Sequence, residues 1–137
     1  MTTHARGVAG DSRVAPVGRH RWAIAAGHVP VTSTGAEPMF TSRDVLSLLN
    51  AGDVLANVRI VVLYADRGET GAFRLGVAPR RLRRVRVNDL IFPEAVTLGV
   101  PYGLDIRSDQ PVVVQFTRMD TRAAANAGLL ATAWSER

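Results

Sequence analysis

The chain has 137 residues, 47% of them hydrophobic, with 17 basic and 12 acidic side chains for a formal charge of +5 and no cysteine. One domain with one ordinary core fits that length, since folding hides roughly 68–70% of the unfolded surface at this size. The missing cysteines exclude disulfides, thiolate metal sites and cysteine nucleophiles. The longest apolar run, residues 60–65, is far short of the ~20 residues that cross a bilayer, so a soluble, cytoplasmic protein is expected.

Residues 1–17 carry Arg6 and Arg13 but no continuous apolar centre of the secretory kind, and they read as a flexible N-terminal extension to a domain spanning 18–137. From His20 onward, short apolar stretches alternate with turn-forming residues and few follow the 3.6 period of a helix. Trp22, Ile24 and Ala26 share one face of a first strand that stops at Gly27, before a loop rich in Pro, Gly, Ser and Thr at 30–38. Residues 44–50 follow and end at Ala51-Gly52-Asp53. In 58–65 both parities are apolar apart from Arg59, the pattern of a strand covered on two sides. A turn at 66–71 and the alternation of Phe73, Leu75 and Val77 then predict an antiparallel hairpin. Residues 81–87 continue the pattern, 104–107 form a short strand, and 112–117 are β-branched and apolar. Residues 122–134 have two readings: alanine and leucine favour a helix, whereas Gly128 weakens it and leaves room for a last strand over 129–134. Counting that strand, the expectation is an all-β, antiparallel β-sandwich of about eight strands.

The net charge is concentrated in Arg80, Arg81, Arg83, Arg84 and Arg86, whose removal would leave the chain neutral. If the run is extended, one face carries Arg80, Leu82, Arg84, Arg86 and Asn88, and the other carries Arg81, Arg83, Val85 and Val87 and ends in the core. Such a strip attracts phosphate, carboxylate or nucleic acid. It also serves as a charged edge strand that resists sheet-to-sheet aggregation. A second polar group comprises Gln115, Thr117, Arg118, Asp120 and Arg122, where an apolar strand emerges into a polar stretch. Its donors and acceptors suit a polyhydroxy or acidic ligand, or an Arg–Asp network at a loop or subunit contact. Trp22 offers an aromatic face for a sugar ring or, with Ile24, a core side chain. His20 and His28 lie outside any zinc spacing, and neither a glycine-rich phosphate loop nor a Gly-x-Ser-x-Gly elbow occurs. No catalytic set, metal site or cofactor is expected, and the protein reads as a non-enzyme.

Trp22-Ala-Ile-Ala25, Glu37-Pro38, Leu49-Asn-Ala-Gly-Asp53, Arg80-Arg81, Val85-Arg-Val-Asn-Asp-Leu90 and Pro111-Val-Val-Val-Gln115, with Thr117-Arg118, Asp120 and Arg122, resemble the sensory rhodopsin transducer family. These are small soluble proteins named for a partner of a cyanobacterial photoreceptor. The resemblance runs over residues 18–133. It implies a β-sandwich that assembles as a homotetramer, a last strand near 129–133, and a non-enzymatic role in signalling that includes sugar or related metabolite binding, with DNA binding as a further implied property.

The leading expectation is a site for a small polar or anionic metabolite built from Trp22, Arg86, Asn88, Gln115, Arg118 and Asp120. The alternatives are DNA binding through Arg80, Arg81, Arg83, Arg84 and Arg86, and a signalling adaptor coupled to a rhodopsin. A basic protein is not steered towards the Lys/Arg-rich cytoplasmic loops of a membrane receptor, so a rhodopsin partner is not required by this reading.

Overall fold

The computed structural model describes residues 17–31, 43–120, 127–132 and 134–136. The expected N-terminal extension apart from Val17, most of the 30–38 loop, and Glu37, Pro38 and Arg122 lie outside the described residues. Eight strands follow in order, β1 Arg19–Gly27, β2 Arg43–Asn50, β3 Ala56–Tyr64, β4 Glu69–Val77, β5 Arg81–Arg86, β6 Tyr102–Asp120, β7 Ala127–Thr132 and β8 Trp134–Glu136, with one 3-10 turn at Val87–Asp89. No helix of the described residues is long and apolar enough to cross a membrane.

Every strand pair is antiparallel. One sheet runs β4-β3-β6-β1-β8, and the other joins β5 to β2, β2 to β6 and β6 to β7, so β6 belongs to both. Residues 102–108 of β6 pair with β3, while 113–119 pair with β2. The chain changes sheets between these segments, at Asp109-Gln110-Pro111. Pro111 has no N–H to lose from a ladder at the crossing. The Asp109 carboxylate accepts the backbone N–H of Asn57 at 2.7 Å and its Nδ2 at 2.8 Å, and so satisfies β3 where its pairing with β6 stops. The sandwich and the β3–β4 hairpin agree with the sequence reading. The expected separate strands at 104–107 and 112–117 are one strand that turns a corner, the usual way a chain passes between packed sheets.

The ambiguous 122–134 region contributes strands. Residues 127–132 pair with 115–120 of β6, and 134–136 pair with β1. The open flanks of β6 and β1 supply ladder partners that outweigh the weak helix preference of alanine and leucine. The 58–65 segment is covered on one face, contrary to the two-sided expectation. Ala56, Val58, Ile60, Val62 and Tyr64 are buried, whereas Arg59 and Leu63 are exposed, because the second layer packs against only one side of the sheet. The extended arginine run ends at Arg86, where the chain enters the 3-10 turn and buries Val87.

The core lies between the sheets, with Leu46, Leu48, Ile60, Leu104, Ile106 and Phe116 among its most buried side chains. Asn50, also buried, closes one end of it. Its Nδ2 donates to the carbonyls of Val54 at 2.8 Å and Val77 at 3.0 Å, and its Oδ1 accepts the Gly52 N–H at 3.0 Å. The β2–β3 turn is thereby fastened to the end of β4. Asn50→Ala strands the buried Val77 carbonyl, and urea unfolding is expected to show a loss of about 2–3 kcal/mol.

Candidate functional site

Asp44 begins the alternation Asp44, Leu46, Leu48, Asn50 on the inward face of β2, and its side chain is wholly buried. A carboxyl in such a place needs donors. It has three: the Tyr102 hydroxyl at 2.5 Å, the His28 backbone N–H at 2.8 Å and the Arg118 Nε at 3.3 Å. Arg118 stands opposite Asp44 in the β2–β6 register, and a second nitrogen of its guanidinium donates to the Ala26 carbonyl. Tyr102 arrives from the other end of β6, opposite Gly27 of β1. A Cβ on Gly27 would lie 2.2 Å from the Tyr102 ring, so the bare glycine backbone is what lets the ring lie flat and reach the carboxylate.

Above the buried Asp44 lies a cleft of about 550 Å³ walled by Ala25, Ala26, Gly27, His28, Leu63, Ala65, Pro101, Tyr102, Gly103 and Arg118, a volume in the usual range for small-molecule sites. Its surface is small and apolar around a single cation. Arg118 is held on two sides by Asp44 and the Ala26 carbonyl, which orients its remaining donors without occupying them. Burial raises the Asp44 pKa above its ordinary 3.8, against the opposing pull of Tyr102, His28 and Arg118. Burial, followed by the Asp44 charge, pushes the Tyr102 hydroxyl far above the ordinary tyrosine range, so it remains a donor.

The six expected site residues do not converge. Arg118 lines the cleft. Trp22 is half-buried against the core and gives its Nε1–H to the Val112 and Arg19 carbonyls at 2.9 and 3.2 Å. Gln115, of opposite parity to Arg118, lies on the outer face of the second sheet beside Ser47. Arg86 and Asn88 sit at the end of β5 and in the 3-10 turn, and the side chain of Asp120 lies outside the described residues. The sequence reading did not single out Asp44 or Tyr102 and weighed His28 for metal binding and as a triad base, although an acid in phase with Leu46 and Leu48 is a readable sign of a buried carboxylate. His20 bonds through Nδ1 to the Ser108 carbonyl at 3.0 Å. No cluster of His, Cys, Asp or Glu suited to a metal ion occurs among the described residues.

The basic strip is divided as well. Arg80, with a left-handed φ of 59°, donates to the Ala51 carbonyl at 2.7 Å. Arg81 donates to Arg80, and Arg83 reaches across to the Gly76 carbonyl of β4 at 2.8 Å. Arg84 and Arg86 are of opposite parity to Arg81 and Arg83, in register with Ser47 and Val45.

An antiparallel sandwich whose shared strand supplies a tethered arginine to a small cleft defines the class of protein. The family model described as Anabaena sensory rhodopsin transducer matches residues 17–135, and the chain belongs to that family. The solved structure of the Anabaena sensory rhodopsin transducer is 39% identical, with a TM-score of 0.67, and the match covers 74% of this chain and 95% of that one. The crystal structure of Thermotoga maritima 1070 superposes with a TM-score of 0.75 at 24% identity, covers 88% of this chain and 97% of that one, and shares the fold. No curated protein matches the chain.

Gly27→Ala drives a methyl group into the Tyr102 ring, and denaturant unfolding is expected to show a cost of about 1–3 kcal/mol. The pH dependence of Asp44 has a defined sign. Its folded pKa lies above the unfolded value of 3.8, so the folded chain binds more protons in that window, and the contribution is greatest below 3.8 and declines as pH rises through the folded pKa. The melting temperature of the wild type relative to Asp44→Asn should therefore fall as pH climbs from the acid side towards neutrality.

Proposed function

We propose that the protein is a non-enzymatic, transducer-like binding module that takes a small polar metabolite, a sugar or related compound, into the cleft beside Arg118. The observation that carries this reading is the Asp44–Arg118 pair, in which a wholly buried carboxylate holds a guanidinium whose side chain remains 26% exposed. A cation fixed in that way donates hydrogen bonds to hydroxyl or carboxylate oxygens with little loss of side-chain freedom. The small walls of Ala25, Ala26, Gly27 and Gly103 leave space for a ring to approach the backbone. Assembly as a homotetramer, a cytoplasmic location and a signalling role complete the proposal, and family membership supports them.

Nucleic-acid binding through the arginine strip has less support. Arg80, Arg81 and Arg83 each spend a donor on a backbone carbonyl of their own fold, and successive residues of β5 point to opposite faces. Their positions fit a guarded sheet edge.

A thermal-shift screen against sugars, sugar acids and sugar phosphates tests the main reading. A ligand at 100 times its dissociation constant stabilises the fold by about 2.7 kcal/mol. Arg118→Ala should abolish the shift and also lower unliganded stability by on the order of 3 kcal/mol, because Asp44 is left buried without its cation. Ala26→Leu, at an exposed position in the cleft wall, should remove the shift while leaving the unliganded melting temperature nearly unchanged. A ligand response that survives Ala26→Leu would place the site elsewhere.

A further inference from the structure

Where the edges β4 and β5 of the two sheets meet, they form a second groove of about 440 Å³, separate from the Arg118 cleft. Arg74, Arg83, Arg84 and Arg86 line it, against one carboxylate, Asp89. No hydrogen bond or ion pair engages the guanidinium of Arg74 or Arg84 among the described residues. The Nε of Arg86 is buried without a hydrogen bond, its nearest acidic oxygen being that of Asp89 at 3.8 Å. Four arginines against one acidic residue give the lining of the groove a net positive charge.

Ile91 and Phe92 form the groove's rim and are 68% and 83% exposed. They belong to a short finger. Its base is closed by the Val96 N–H on the Leu90 carbonyl at 3.3 Å and by burial of both those side chains. Its flank is held by the Thr70 hydroxyl on Glu94 at 2.8 Å. Between these anchors Ile91, Phe92 and Pro93 are three consecutive exposed apolar residues. Such a tip, fixed in water beside a cationic groove, is the arrangement by which peripheral proteins hold an anionic bilayer: apolar side chains enter the acyl boundary while basic ones meet phosphate and carboxylate headgroups.

We propose that this finger and groove dock the protein on an anionic membrane surface. Charge complementarity selects that occupant. A second copy related by a two-fold axis would set arginine against arginine. A nucleic acid could stack on Phe92 but has no use for Ile91 and Pro93, which have no π-face. An added peptide strand meets Arg83 lying across the Gly76 carbonyl at the β4 edge.

The test is co-sedimentation of the full chain with vesicles of phosphatidylcholine alone and of phosphatidylcholine and phosphatidylserine in equal parts. Binding is expected only to the mixed vesicles and should weaken as salt rises. Arg84→Ala should lower the partition coefficient about fivefold and Phe92→Ser about tenfold, with unchanged melting temperatures because both side chains are exposed. Ala26→Leu, which blocks the metabolite cleft without altering the fold, should leave vesicle binding intact, and this separates the two surfaces. Equal binding to both vesicle types, or binding insensitive to Arg84→Ala and Phe92→Ser, overturns the proposal. So does a change of mass by light scattering in Phe92→Ser, which would make the finger a contact between copies. Capture of polyglutamate or duplex DNA through these residues without vesicle binding would likewise reassign the groove.

Discussion

The buried Asp44 carboxylate ties the two sheets together at the cleft. Tyr102 and Arg118, which both donate to it, come from the same strand. At ~3.3 Å per residue a straight strand would hold them roughly 50 Å apart. Their meeting on one carboxylate therefore requires β6 to turn sharply, and the turn lies where Pro111 and Asp109 end one ladder and open the next. Directly through the His28 N–H, and by way of Arg118 through the Ala26 carbonyl, the same group fixes the end of β1. Sandwich closure and cleft geometry are thus one constraint. A carboxylate removed from water needs all its donors in place, and those donors are present only when both sheets are packed.

Charge is organised on the same principle of local satisfaction. The basic run that dominates the sequence is not a uniform stripe in space, because β5 is an edge strand and its side chains alternate. Some of its arginines close the gaps between turns and edges by donating to backbone carbonyls. Arg83 does both, lining with Arg74, Arg84 and Arg86 the groove beneath the Phe92 finger. The two concave regions consequently differ in chemistry: one has a single tethered cation among small apolar walls, and the other has several cations beside an exposed apolar tip.

Much of the fold was legible because its signals are short in range. Alternation identified β1 and β4, a continuous apolar run identified β3, the turn chemistry after residue 65 identified the hairpin, and the resemblance over residues 18–133 identified the family. Two readings went astray for related reasons. The apolar outward residues of β3, Val61 and Leu63, imitate a strand covered on both sides, and the polar interval Ser108-Asp109-Gln110 imitates a loop between two strands. In each case the local pattern is compatible with either outcome, and pairing with a distant strand decides it.

The sequence by itself determined the strand-rich class, the confinement of net charge to one segment and Arg118 as a binding candidate, since composition and period-2 alternation are properties of neighbours along the chain. Only the tertiary structure decided that Asp44, Tyr102 and His28 join Arg118, that Trp22 serves the core, and that Gln115 faces away. Those assignments depend on which strands lie side by side and where β6 bends. Contacts of that kind link residues tens of positions apart, and no local periodicity encodes them.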